Sequence, residues 1–319
     1  MVNLDRNALE AAVLGGSFFG GGGGGSADSG LEAGDLALRV GEPRLMSIDE
    51  IAPDSALLTV SAVGAPGGDG LHAKPYHYLK AVEAFIEHSG LKVGGLITNE
   101  CGGLATVNGW FQAAALGLPI VDCPCNGRAH PTGVMGSMGL HRVPGFLSQQ
   151  MAVGGYLERG TYVEIFVKGS LEKAAAIARQ AAVQAGGLVA VARNPVSADY
   201  ASKNGAPGAI AHCIKVGHAM LETGRQEQTP EKQHSDAQPL GSQPTAKGSA
   251  GAMIEAAASA SNGRVVCSGS IVAKHLETRG GFGVGTIGLD GGFELVFWNE
   301  YMTLEYRDER LGTFPDLIA

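Results

Sequence analysis

Apolar residues fall in two alternating rhythms along the first half of the chain. Ala56–Val63 (ALLTVSAV) and Val93–Thr98 are short, nearly unbroken apolar runs with β-branched residues, the pattern of strands buried on both faces. Pro119–Val121 is a shorter run of the same kind. Between them, Tyr76–His88 carries Leu79, Val82, Phe85 and Ile86 at helical spacing and ends before Gly90, and Gly109–Leu116 reads as a short helix. Strand, helix, strand, helix, strand predicts parallel pairing in a layered α/β unit. Ahead of it, Leu4–Val13 has helical spacing and then gives way to the glycine-dominated stretch Gly15–Gly25.

The rhythm changes later. Thr161–Val167, a helix over Leu171–Ala185 and a strand over Leu188–Ala192 are expected to open a second unit. Arg264–Lys274, Phe282–Leu289 and Phe293–Tyr306 then read as consecutive strands joined by glycine turns, so this unit is expected to be α+β and rich in antiparallel structure. The expected domains are 1–158 and 159–319. Gly224–Gly248 is polar, rich in Gln, Pro and Ser, and predicts a mobile, solvent-exposed excursion.

Composition narrows the class. The 319 residues are 45% hydrophobic and 17% charged, which is globular, and exceed what one core usually organises. A net charge of -8 without a basic cluster argues against nucleic acid or an anionic membrane as partner. No apolar run is long enough to span a bilayer, and the polar N-terminus does not read as a signal peptide. Five scattered cysteines suit reduced thiols, so the expected setting is the cytoplasm, with the chain as a homo-oligomer acting on a small molecule.

Three features carry candidate chemistry. Gly20–Gly25 lets backbone N–H groups gather on an anion without side-chain obstruction, or is simply a flexible loop; with no preceding strand it is not a dinucleotide fingerprint. The loops after the strands, Gly64–Pro66, Asn99–Gly103 and Asp122–Pro131, belong on one sheet edge, the usual ligand side of an open α/β sheet. Glu100, Asp122, Arg128 and His130 would meet there, with Lys74 within reach; a charge just beyond a buried strand needs a partner, so Arg128 is expected to hold a carboxylate. Cys123-x-Cys125 with His130 supplies three zinc-type donors, making zinc the candidate cofactor, though buried core thiols are the first expectation, a nucleophilic thiolate the second and metal the third.

The ordered set of the glycine run, Gly64-Ala65-Pro66, Glu100-x-Gly102-Gly103, Val121-Asp122, Gly127-Arg128-Ala129-x-Pro131, Asn299-Glu300-Tyr301 and Pro315-Asp316-Leu317-Ile318 resembles the S-methyl-thiohydantoin desulfurase-like family. The resemblance implies an N-terminal α/β domain, a β-rich second domain and, for some members, hydrolysis at a hydantoin-like ring. Gly22, Gly23, Gly24, Gly102, Gly103, Asn299 and Glu300 are the expected ligand-binding positions. Ala105 and Pro124 stand where the family pattern prefers Asn and an acid.

Two functions follow. One is a hydrolase of a small cyclic amide, imide or thioimidate, with Glu100 or Asp122 as base, Arg128 or the glycine amides holding developing negative charge, and Lys74 or His130 as proton donor. The other is a non-catalytic subunit or ligand-binding protein accompanying a hydantoinase-type enzyme, the reading that Ala105 and Pro124 favour.

Overall fold

The computed structural model describes residues 2–64, 73–226, 246–279 and 282–319. In chain order the strands are β1 Val2–Asn3, β2 Arg44–Ser47, β3 Ala56–Gly64, β4 Val93–Thr98, β5 Ile120–Asp122, β6 Ser148–Gly154, β7 Val163–Gly169, β8 Leu188–Ser197, β9 Ile271–Arg279, β10 Phe282–Leu289, β11 Phe293–Trp298, β12 Glu300–Tyr306 and β13 Glu309–Thr313. The helices are α1 Arg6–Gly20, α2 Ala27–Val40, α3 Pro75–Ser89, α4 Trp110–Leu116, α5 Leu171–Gln184, α6 Ala198–Asn204, α7 Ala209–Gln226 and α8 Ala246–Ala260.

An eight-stranded sheet runs in the order β1-β2-β5-β4-β3-β8-β6-β7. Its central group, β2, β5, β4 and β3, is parallel, as the strand–helix alternation predicts. The protein is thus mixed α/β at its N-terminal end, with a second, all-antiparallel sheet of five strands, β13-β12-β11-β10-β9, at its C-terminal end. Strands β7 and β8 join the first sheet antiparallel through β6 and β3, so that sheet continues past residue 158. Leu58, Val60, Phe85, Leu96, Trp110 and Met151 lie in its main core.

Glycine does unexpected work in α1. The helix does not stop at Val13 but continues to Gly20, because its glycines are a packing surface. A Cβ on Gly15 would overlap the Cys213 carbonyl of α7, and one on Gly217 of α7 would overlap Ala11. Backbones this close exclude any side chain, so small residues set the α1–α7 contact. The helix ends at Gly21 in the left-handed region (φ 53°), and Gly22, Gly24 and Gly25 also have positive φ. Those angles make Gly21–Gly25 a shaped turn of the kind only glycine adopts cheaply.

The strand expected over Phe293–Tyr306 is broken at Asn299, whose φ is 57°. Its side-chain carbonyl accepts from Gly283 N and its own N–H donates to the Gly283 carbonyl, tying the turn to β10. Of the excursion at 224–248, residues 227–245 lie outside the described residues. No helix among the described residues is long and apolar enough to cross a membrane.

Candidate functional site

Where the two sheets meet, a cavity of about 710 Å³ is walled by Gly22–Gly25, by Asn99 and Glu100 after β4, by His130–Val134, by Arg179 of α5 and Arg193 of β8, and by Asn299 and Glu300. The parallel strands deliver Asn99 and Glu100 at their C-terminal edge, the expected ligand side. The β12 side is fastened to the glycine turn by Tyr301 N–H donating to the Gly21 carbonyl at 2.7 Å.

A chain of hydrogen bonds fixes the polar floor. Arg193 donates to Asn99 Oδ1 at 2.7 Å, so the Asn99 amide must present its NH₂ elsewhere. Asn99 Nδ2 lies 3.1 Å from His130 Nε2, which makes that nitrogen the acceptor. The His130 proton therefore sits on Nδ1, 3.0 Å from Glu100 Oε2. His130 N–H also donates to Glu100 Oε2, at 3.3 Å, so Glu100 accepts from His130 twice. His130 orients Glu100 rather than standing free to give up a proton. Gly136 is required beside it, since a Cβ there would overlap His130 Nε2.

The second carboxyl is different. Glu300 is 4% exposed, and its Oε2 has no hydrogen-bond partner among the described residues. Burial and then the nearby negative charge of Glu100 push its pKa up to about 8; Arg128 and Arg179 oppose this without overcoming it. A Cβ on Gly23 would overlap Glu300 Oε1, so the glycine turn closes directly over this acid.

The expected site residues divide. Glu100, His130, Gly22, Gly23, Gly24, Asn299 and Glu300 line the cavity. Asp122 does not: its two carboxylate oxygens accept from Ile210 N and Ala211 N, at 2.7 and 3.0 Å, and cap the start of α7. Arg128 pairs with no carboxylate among the described residues; it donates to the Tyr301 and Asp316 carbonyls and lies over the Phe314 ring, so it clamps the C-terminal segment. Lys74 precedes α3 and packs its ammonium over Tyr156, away from the cavity. Gly102 and Gly103 touch Gly24, Gly25 and Ser26 from behind and allow the glycine turn to approach, without lining the cavity. Of Gly64-Ala65-Pro66, only Gly64 is among the described residues, and it lines the cavity.

The zinc reading fails on geometry. No three His, Cys, Asp or Glu side chains among the described residues gather as metal ligands. Cys123 donates to the Ala201 carbonyl, Cys125 pairs with Thr59, and His130 is held by Asn99 and Glu100. Burial pushes the Cys123 and Cys125 thiols up to about 12 and about 11. Cys101, buried beside Cys213, is also raised, first through that contact and then through burial. These are core thiols, unsuited to a thiolate nucleophile.

Arg179, Arg193 and Asn99 were not singled out by sequence. Arg193 had a readable signal, a cation directly after the apolar run LVAVA. Asn99 lay within a loop already expected to contribute, but its role depends on which partner fixes its amide. Arg179 sits in an ordinary alanine-rich helix and gave no signal; only tertiary packing brings it over Phe282 and beside the Gly64 carbonyl.

Comparison with known proteins agrees with the fold. A crystal structure of a protein from Chromobacterium violaceum is similar with a TM-score of 0.69 at 23% identity, over 99% of this chain and 81% of that one. No curated protein matches. The models of the S-Me-THD-like N-terminal and C-terminal domains match residues 7–153 and 170–319. Between them they cover most of the sequence: the chain belongs to the S-methyl-thiohydantoin desulfurase-like family.

Proposed function

We propose that the protein is a hydrolase of a hydantoin-like ring, cleaving a C–S or C–N bond at the ring carbon, and that its substrate carries an acidic group. Of the three glutamates lining the cavity, Glu100, Glu172 and Glu300, the observation that carries this reading is that Glu100 and Glu300 face it from opposite ends of the chain in unlike environments. Glu100 is held as a hydrogen-bond acceptor, while Glu300 retains its proton up to about pH 8. Two carboxyl groups in unlike surroundings, one of them buried and raised, suit the acid and the base of a hydrolytic site.

In this scheme Glu100 takes a proton from water as the oxygen adds to the ring carbon, and the C=N or C=O electron pair moves onto its heteroatom. Collapse of the adduct expels sulfur or ring nitrogen, which takes the proton of Glu300. The amides of Gly22, Gly24 and Gly25 have no backbone acceptor among the described residues and can hold the developing charge. The acidic group belongs at Arg193, which is 5% exposed and has no carboxylate partner among the described residues, with Arg179 beside it. The cost of burying the Arg193 guanidinium is partly offset by the charge of Glu100 without a direct ion pair, and a ligand carboxylate bonded to it would offset more of that cost.

The test is a panel of hydantoins and S-alkyl thiohydantoins, with and without an acidic substituent, followed for binding by thermal shift and for turnover by release of thiol or ring-opened acid. Acidic members are expected to bind and at least one to turn over. Glu100→Gln should abolish turnover while preserving binding. Binding without turnover by any member would leave the ligand-binding reading in place and remove the hydrolase.

A further inference from the structure

A second chamber of about 410 Å³ adjoins the main cavity at Glu100 and has neither Arg179 nor Arg193 in its lining. It shares Gly24, Gly25, Ala62, Gly64, Asn99 and Glu100 with the main cavity, so the two are joined around that carboxylate. Its remaining polar wall among the described residues is neutral and comes from Ser26, Ser29, Ser61, Thr98 and Asn108. Through Ser29, Leu104, Asn108 and Leu188 it continues into a cleft of about 170 Å³ lined by Leu36, Tyr78, Val107 and Phe111. The lining therefore passes from a mixed charged wall, with Arg179, Arg193, Glu172 and Glu300, through mainly neutral hydrogen-bonding groups, to a cleft whose larger side chains are mostly apolar, with Glu32 and Gln112 among them.

Ser61 marks the middle of this path. It is 5% exposed on β3 and lines the chamber, yet its hydroxyl has no hydrogen-bond partner among the described residues. A buried hydroxyl left unpaired costs stability, and native proteins keep one where water or a ligand supplies the partner. The chamber is too large for a single bridging water. Among the described residues its only formal charge is Glu100, which disfavours a second anion.

We propose that this chamber and cleft are a second substrate subsite, which receives a neutral arm of the ring substrate bearing a hydroxyl or amide near the ring and an apolar end. The inference rests on the reading of the main cavity as a hydantoin site. It adds that specificity is set in both chambers that adjoin Glu100, with the acidic group at the arginines and the neutral arm in the chamber that lacks them.

Isothermal titration of the full chain tests it with three ligands: an acidic hydantoin, the same ring with a hydroxyethyl arm opposite the acid, and a third with that arm lengthened by a propyl end. The hydroxyl arm is expected to tighten binding by roughly five-fold, the order of one net hydrogen bond, and the propyl end by roughly ten- to fifty-fold, the order of two to three buried methylenes. Ser61→Ala should erase the hydroxyl increment and leave the parent ligand unchanged. Leu188→Trp, which narrows the passage from chamber to cleft, should erase the propyl increment. If the parent binds and neither arm adds affinity, or if both increments survive both substitutions, the subsite is overturned while the main cavity stands. If the parent itself does not bind, the main-cavity reading falls and the subsite with it.

Discussion

Glu300 gathers the most chemistry into one side chain. The break at Asn299 turns it inward, Gly23 makes room for it, and burial favours its protonated form. Its folded pKa of about 8 lies above the ordinary 4.5, so the native chain binds this proton more tightly than the unfolded chain does. The stabilisation is complete below the ordinary value and is lost as pH rises through about 8. Glu300→Gln keeps the shape and removes the titration. Its melting temperature is expected to gain on the native protein's as pH rises from 6 to 9, and its turnover at neutral pH to fall by about a hundred-fold or more, the usual worth of a general acid. Melting curves that run parallel across that range would show that Glu300 does not hold its proton in the native state. The residue type at this position was legible in the motif Asn299-Glu300-Tyr301, but its protonation was not, because that depends on a glycine turn nearly the whole chain away.

At the scale of elements, the strands and helices from β3 to β5 were readable because burial on both faces leaves unbroken apolar runs. Helix α2, ADSGLEAGDLALRV, was not, because its buried positions are Gly30, Gly34 and Ala37, small residues that no hydrophobic pattern registers. Helix α1 was cut short for the same reason. Asp122 illustrates a residue whose surroundings were read better than its role: it closes β5, one residue past the expected strand end at Val121, and serves the first turn of α7. Its two acceptor bonds stabilise a helix start, where an anion is favoured. Asp122→Asn keeps one acceptor, and is expected to lower stability by about 1 kcal/mol while kcat per folded molecule stays unchanged. Denaturant unfolding beside turnover checks this; a large loss of kcat with native stability would return Asp122 to the reaction.

For the whole molecule, the decisive contact is the one between sheets. Arg128 ties the loop after β5 to the Tyr301 and Asp316 carbonyls, and Tyr301 N–H ties β12 to the glycine turn. Together they hold Glu300 opposite Glu100. Arg128→Lys replaces a planar fork by a point charge that cannot serve both carbonyls equally. Amide exchange over 299–319 is expected to quicken, and the alkaline limit of activity to move down from about pH 8 as Glu300 gains solvent. Unchanged exchange in that segment would show that the clamp is not needed. Taken alone, the sequence determined the α/β class, the parallel centre, the family motifs and the loops that carry Glu100 and His130, because burial periodicity and turn chemistry are local. Tertiary structure alone decided that Asp122, Arg128, Lys74 and the cysteines stand outside the cavity and that Arg179 and Arg193 stand inside it. Which charge meets which depends on how distant segments pack, and the cost of burying an unpaired charge appears only once that packing exists.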